Sequence, residues 1–260
     1  MFTLYLHIPY CIVKCGYCDF HSLATKRDEI PHQAYAQAIL AQLKMQVELH
    51  QLSGQKIGAI FFGGGTPSLM EPTFFEQVLV EIQKTFSFAN DLEVTSEMNP
   101  ATAKLDWLKA VRAIGINRLS IGIQSFNPKY LKFLDRDHTA SDVHSVMNDA
   151  RTAGFENMSC DLIYSIPGQT TEEVASDVNT ALSFAPQHVS AYQLTFEPGT
   201  PLTKRYQHAS PLGLPPKISD DASLEQFQCV TAMFEAAGLH RYEISNYARP
   251  DFESRHNLNY

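Results

Sequence analysis

The chain is short of positive charge, of long apolar runs and of paired cysteines, and each shortage removes a class of function. Lys and Arg number 20 against 28 Asp and Glu, a net charge of −8. This argues against nucleic acid as the main partner, because phosphate binding draws on a cationic surface. No apolar stretch approaches the roughly 20 residues that span a bilayer, so membrane contact is expected only through a partner protein. The first eleven residues are apolar but carry no basic leader and no small-residue cleavage site, so they read as structure rather than as an export signal. Five cysteines, an odd number with three crowded at positions 11, 15 and 18, suit a reducing compartment and metal or redox chemistry better than a disulfide framework. A cytoplasmic location is expected.

What is present points to an α/β chain. With 260 residues, 44% of them hydrophobic, there is material for one α/β barrel or for two ordinary domains. Apolar strand-like runs at 4–9, 57–62, 92–98, 118–124, 158–164 and 189–196 alternate with helical periodicity at 31–52, 73–86, 103–113, 140–153, 172–184 and 221–237. Near-continuous apolar strands separated by helices imply a parallel sheet with right-handed crossovers, closed or partly closed into a barrel. The division expected is a core over 1–197, a Pro-, Gly- and Ser-rich loop or lid over 198–219, and a last helix with an edge strand near 241–245 in 220–260.

In such sheets ligand chemistry gathers at the carboxyl ends of the strands, and the unusual residues share that address. Cys11, Cys15 and Cys18 follow the first strand and Gly63-Gly64-Gly65-Thr66-Pro67 ends the second, while Glu97, Gln124 and Asp161 lie in the third, fourth and fifth. Three thiolates cannot complete four-fold coordination. Structural zinc would need a fourth ligand, and His21 is the only one nearby. A dithiol pair at Cys15 and Cys18 would need no third cysteine. An iron–sulfur cubane with one iron left open uses all three. The glycines permit close backbone approach to a ligand, or merely a tight turn. Glu97 is a carboxylate inside an apolar strand and demands a partner, either a structural cation or a ligand. Asp161 poses the same question.

Cys-x3-Cys-x2-Cys with Tyr17 before its last cysteine resembles the signature of the radical S-adenosylmethionine (SAM) superfamily. The resemblance implies a partial (β/α)6 barrel and a [4Fe-4S] cluster on Cys11, Cys15 and Cys18 whose open iron is chelated by SAM. It also implies one-electron cleavage of the sulfonium to methionine and a 5′-deoxyadenosyl radical. Gly63, Gly64, Gly65 and Thr66 would then receive the methionine amino group, with Glu97 on SAM and Asp161 accepting from the nucleoside.

Tyr5, the run Ser120 to Phe126, Asp135-Arg136-Asp137-His138 and the run Asp161 to Thr170 are similar to the oxygen-independent coproporphyrinogen III oxidase family. The similarity implies Tyr5 beside SAM, and Tyr17, Gln124 and Arg136 on a second SAM or the substrate. The chain departs from the oxidase pattern at Phe20, where oxidases carry a fourth cysteine. Cys18-Asp19-Phe20 and the terminal His256-Asn257-Leu258-Asn259-Tyr260 instead resemble the HemW-type haem chaperone branch. That branch implies haem or porphyrin as ligand, a haem-accepting partner protein and a further C-terminal domain. A homodimer is also an open expectation. His256 is the leading candidate haem ligand, since imidazole suits iron, ahead of His7, His21, His138 and His240. If the protein is an enzyme, the resemblance implies a coproporphyrinogen dehydrogenase-type oxidoreductase. Cys160 and Cys229 are expected to pack as small hydrophobes.

Overall fold

The computed structural model describes residues 2–208 and 213–259. The elements in order are β1 (Phe2–Ile8), β2 (Tyr10–Cys11), β3 (Leu23–Ala24), α1 (His32–His50), β4 (Lys56–Gly64), α2 (Pro72–Thr85), β5 (Ser87–Met98), α3 (Leu105–Ile114), β6 (Arg118–Gln124), α4 (Pro128–Phe133), α5 (Ala140–Thr152), β7 (Asn157–Tyr164), α6 (Thr171–Ser183), β8 (His188–Gln193), α7 (Pro201–His208), α8 (Asp220–Ala236), β9 (His240–Arg241), β10 (Asn246–Ala248) and α9 (Arg255–Leu258). One sheet runs β1-β4-β5-β6-β7-β8-β10-β9. Its first six strands are parallel, each joined to the next by at least one helix, and β10 and β9 close the far edge antiparallel. This is the α/β, partial (β/α)6 barrel that the alternation and the motif resemblance imply.

Local chemistry fixes the crossovers. α5 and α6 each begin with a full capping box, Thr139 with Asp142 and Thr170 with Glu173, so two otherwise orphaned N–H donors are answered at each start. α2 starts with Pro72, whose missing N–H costs nothing at that position. The main core lies between sheet and helices: outward residues such as Leu119, Ile121, Ile123, Cys160, Leu162 and Val189 pack with helix residues such as Val111, Val146, Met147 and Val178. The inward positions of the same strands, Arg118, Ser120, Gly122, Gln124, Asp161, His188 and Ser190, line a cavity instead. A closed eight-stranded barrel fills its interior with branched apolar side chains; this open one keeps a polar lumen.

Four local expectations are corrected. β5 begins at Ser87, because Ser87 and Phe88 already pair with Lys56 and Ile57 of β4 before the register shifts and resumes at Glu93. α4 is a helix that the pattern did not signal, short and started by Pro128 behind the Asn127 cap. Within 198–219, expected as loop or lid, Pro201–His208 is the helix α7; Leu202 anchors it in a satellite core with Tyr130, Leu134, Ile166 and Leu194. Residues 209–212 of that stretch lie outside the described residues. The edge strand expected at 241–245 is a hairpin of β9 and β10, since the Glu243 carboxylate accepts from the Ser245 N–H and the Asn246 side chain and turns the chain there.

Candidate functional site

A cavity of about 800 Å³ runs from the cysteine loop into the lumen. Its lining includes every predicted site residue except Gly63: Tyr5, Cys11, Cys15, Tyr17, Cys18, Gly64, Gly65, Thr66, Glu97, Gln124, Arg136, Asp161 and His256. Of the weaker haem candidates, His7 and His21 line it. His138 is buried behind it, bonded to the Ile123 carbonyl at 2.9 Å, and His240 pairs with Glu235 on the surface. Cys160 is fully buried in the outer core and Cys229 contacts the Met233 sulfur, so both pack as expected.

The cysteine loop is tied at its base and along its length. β2 and β3 pair in parallel across it, with the Thr25 N–H donating to the Cys11 carbonyl at 2.8 Å and the Cys18 N–H to the Cys15 carbonyl at 3.1 Å. The Thr66 hydroxyl donates to the Cys11 sulfur (3.4 Å), and Arg136 donates to the Cys15 sulfur (3.6 Å) and the Gly122 carbonyl (2.8 Å). α7 reaches over from the far side: the Leu202 N–H donates to the Gly16 carbonyl at 2.7 Å, and Arg205 pairs with Asp135 at 3.0 Å. A Cβ on Gly16 would sit 2.4 Å from that carboxylate and 2.6 Å from that guanidinium, so α4, α7 and the loop meet with no room for a side chain. Burial raises the Cys15 and Cys18 thiols above their ordinary range; Arg136 opposes this at Cys15, and the backbone at Phe20 opposes it at Cys18. Tyr17, also raised by burial, lies against the same arginine.

The glycine run supplies a cradle. Gly64 has φ +116° and would drive a Cβ into the His7 ring, and Gly65 lies where a Cβ would meet the carbonyls of Tyr10 and Ile8 at 2.8 and 2.9 Å. The Gly64 N–H donates to Glu97 at 2.9 Å. Glu97 opens onto the lumen rather than onto bulk solvent. This enclosure pushes its carboxyl up to about 8 against the Gly64 donor, and the Asp161 charge adds to the rise. No cation pairs with Glu97 among the described residues, which removes the structural salt bridge as its reason for being there. At the end of β6, Gln124 holds φ +67° where the β6–β7 register slips. Such a backbone in a residue other than glycine is a strained arrangement typical of ligand sites.

Sequence reasoning missed the lower half of the lumen. Asp161 accepts from Ser120 at 2.8 Å and Ser159 at 2.9 Å. Ser159 also meets His188 Nδ1 at 2.8 Å, and His188 Nε2 meets the Tyr242 hydroxyl at 2.8 Å. Tyr242 in turn accepts from the Ser254 N–H at 3.2 Å and the Asn257 amide at 3.1 Å. Because the Ser159 proton goes to Asp161, His188 must donate from Nδ1 and accept at Nε2, so every proton in the chain points toward Asp161. Burial and the Arg118 charge hold His188 well below its ordinary value, and so neutral. His256 stacks on Phe61 at 4.4 Å and Tyr5 at 5.5 Å, its pKa lowered by burial and by Arg118. The signal for this region was the strict alternation Arg118-Leu-Ser-Ile-Gly-Ile-Gln124, polar inward and apolar outward.

The donor set fits an iron–sulfur cluster. Three thiols share one loop, and the other cysteines lie outside the cavity. Among the described residues no three His, Cys, Asp or Glu side chains converge as ligands of a single ion; a cubane takes one thiolate per iron and needs no such convergence. Cys11, Cys15 and Cys18 would hold it, beside a glycine cradle and a carboxylate suited to an amino group. When bound, such a cluster supplies single electrons to a ligand at its open iron.

The model of the radical SAM superfamily matches residues 5–181, and the chain belongs to that superfamily. Among its relatives, the heme chaperone HemW of Haemophilus influenzae is 40% identical over 99% of this chain and 66% of its own length. Radical S-adenosyl methionine domain-containing protein 1, mitochondrial, of Danio rerio is 33% identical over 99% of this chain and 56% of its own. The solved coproporphyrinogen III oxidase (HemN) of Escherichia coli superposes with a TM-score of 0.83 at 27% identity, over 96% of this chain and 56% of that one. The chain thus spans at most about two thirds of the length of these relatives. No helix among the described residues is long and apolar enough to cross a membrane.

Proposed function

We propose that the protein is a cytoplasmic haem chaperone that binds a [4Fe-4S] cluster on Cys11, Cys15 and Cys18 and SAM along Tyr5, Gly63–Thr66, Glu97 and Asp161. It holds haem and hands it to an acceptor protein. Tyr17, Gln124 and Arg136 face a second SAM or the tetrapyrrole, and His256 is the candidate iron ligand. The observation that carries this reading is Phe20. It lines the cavity mouth and is 60% exposed, at the position where an oxidase carries a further thiol, and the similarity to heme chaperones agrees with it. Within 198–219, α7 serves as the cover of the cysteine loop through Leu202 and Arg205.

The test is anaerobic reconstitution of the full chain followed by haem titration, SAM cleavage and coproporphyrinogen turnover on one sample. A saturable Soret shift without porphyrinogen conversion is expected; no Soret change would sink the reading. The likeness to the oxidase structure favours one alternative, oxidative decarboxylation of coproporphyrinogen III, and turnover to protoporphyrinogen in the same assay would establish it.

A further inference from the structure

The lower end of the lumen holds a cation that no side chain of the described chain meets with a hydrogen bond or an ion pair. Arg118, the first residue of β6, is 1% exposed, and its side chain lines the cavity. Its Nε and Nη2 have no hydrogen-bond partner, and no ion pair among the described residues includes it. A buried N–H left unanswered is costly, more so on a charged group, and a guanidinium cannot escape by losing its proton. Buried orphans of this kind call for a partner that the protein itself does not contain.

The two orphaned donors define the shape of that partner. Nε–H and Nη2–H lie on the same edge of the guanidinium and point in parallel, the geometry that matches the two oxygens of a carboxylate. No neighbour bonds to it directly. Asp161 lies close enough for the Arg118 charge to act on its carboxyl, but it is occupied by Ser120 and Ser159 and forms no ion pair with Arg118. His188 and His256 are neutral neighbours, so Arg118 is the local positive charge. Asn157, the register partner of Arg118 on β7, also has an unanswered Oδ1, but one amide oxygen cannot serve two parallel donors well. Ser120 and Ser190 add hydroxyls to the same wall.

We propose that Arg118 anchors a carboxylate-binding subsite at the lower end of the lumen, taking a carboxylate of the molecule that fills the barrel. Two molecules of the proposed function carry that group free: haem through its propionates, and the second SAM through a methionyl carboxylate that the open iron does not take. The haem source rests on the chaperone reading, while the subsite itself does not.

The experiment uses the full chain and its Arg118→Gln variant, titrated after reconstitution with haem against haem dimethyl ester and, in the cluster-free form where no iron chelates SAM, with SAM against decarboxylated SAM. Wild type is expected to prefer the free acid of one pair by about ten- to hundredfold, the worth of a charge-assisted pair. Arg118→Gln should lower the acid to the level of its carboxylate-free analogue. The pair affected names the source. Equal affinities of wild type and variant for both acids overturn the proposal. If wild type binds no haem, the chaperone reading falls and the SAM pair still decides the subsite. A ligand-free readout stands beside these: Arg118→Met should melt at or above the wild-type temperature, because it removes an uncompensated buried charge. A lower melting temperature would mean that Arg118 serves as internal counter-charge to Asp161, and would overturn the proposal.

Discussion

At the carboxyl ends of the strands the functional groups sit on loops that neighbouring elements hold in place, whereas at the lower end they sit on the strands themselves. The cysteine loop depends on Thr66, Arg136 and Leu202 from three separate parts of the chain. The lower groups, Arg118, Ser120, Ser159 and His188, are carried by β6, β7 and β8 and positioned by sheet register. The first arrangement can change its chemistry by altering a loop; the second is as rigid as the barrel. An upper end built for the cluster and a lower end built for recognition should therefore fail separately.

The largest separation is expected from the thiols. Cys15→Ala should abolish iron and sulfide uptake on reconstitution while haem still shifts its Soret band; loss of both would join the two ends into one site. Next comes Glu97. Its folded-state value near 8 lies above the ordinary 4.5, so the stability tied to its protonated form is complete below pH 4.5 and is lost as pH rises toward 8. With SAM absent, urea unfolding should show wild type weakening across that window by about 4 kcal/mol more than Glu97→Gln. Parallel pH curves for the two would defeat this assignment. The smallest effect belongs to the lower end: Tyr242→Phe removes a hydroxyl with three partners and should cost about 1–2 kcal/mol. Its cluster content should match wild type, and iron loss in that variant would tie the lower network to the loop.

The same contrast explains what could be read without coordinates. The six strand–helix steps were legible because each strand is a run of outward apolar residues and each crossover helix has its own periodicity. The upper site was legible because its residues fall in short motifs: the thiols within one loop, the glycines in one run. α4 and α7 were not, since both are short and open with proline, and α7 earns its place through Leu202 and Arg205 against distant partners. The lower network links residues 120, 159, 161, 188, 242, 254 and 257, and no local pattern announces a contact made only when the sheet has curled.

α7 also sets an order on events during synthesis. The Gly16 carbonyl acquires its partner only once Leu202 has left the ribosome, long after the three cysteines have emerged. Until then the thiols are present without the α7 contact that holds their loop. A nascent chain stalled before residue 201 should expose its cysteines to alkylation and oxidation more than the finished fold does.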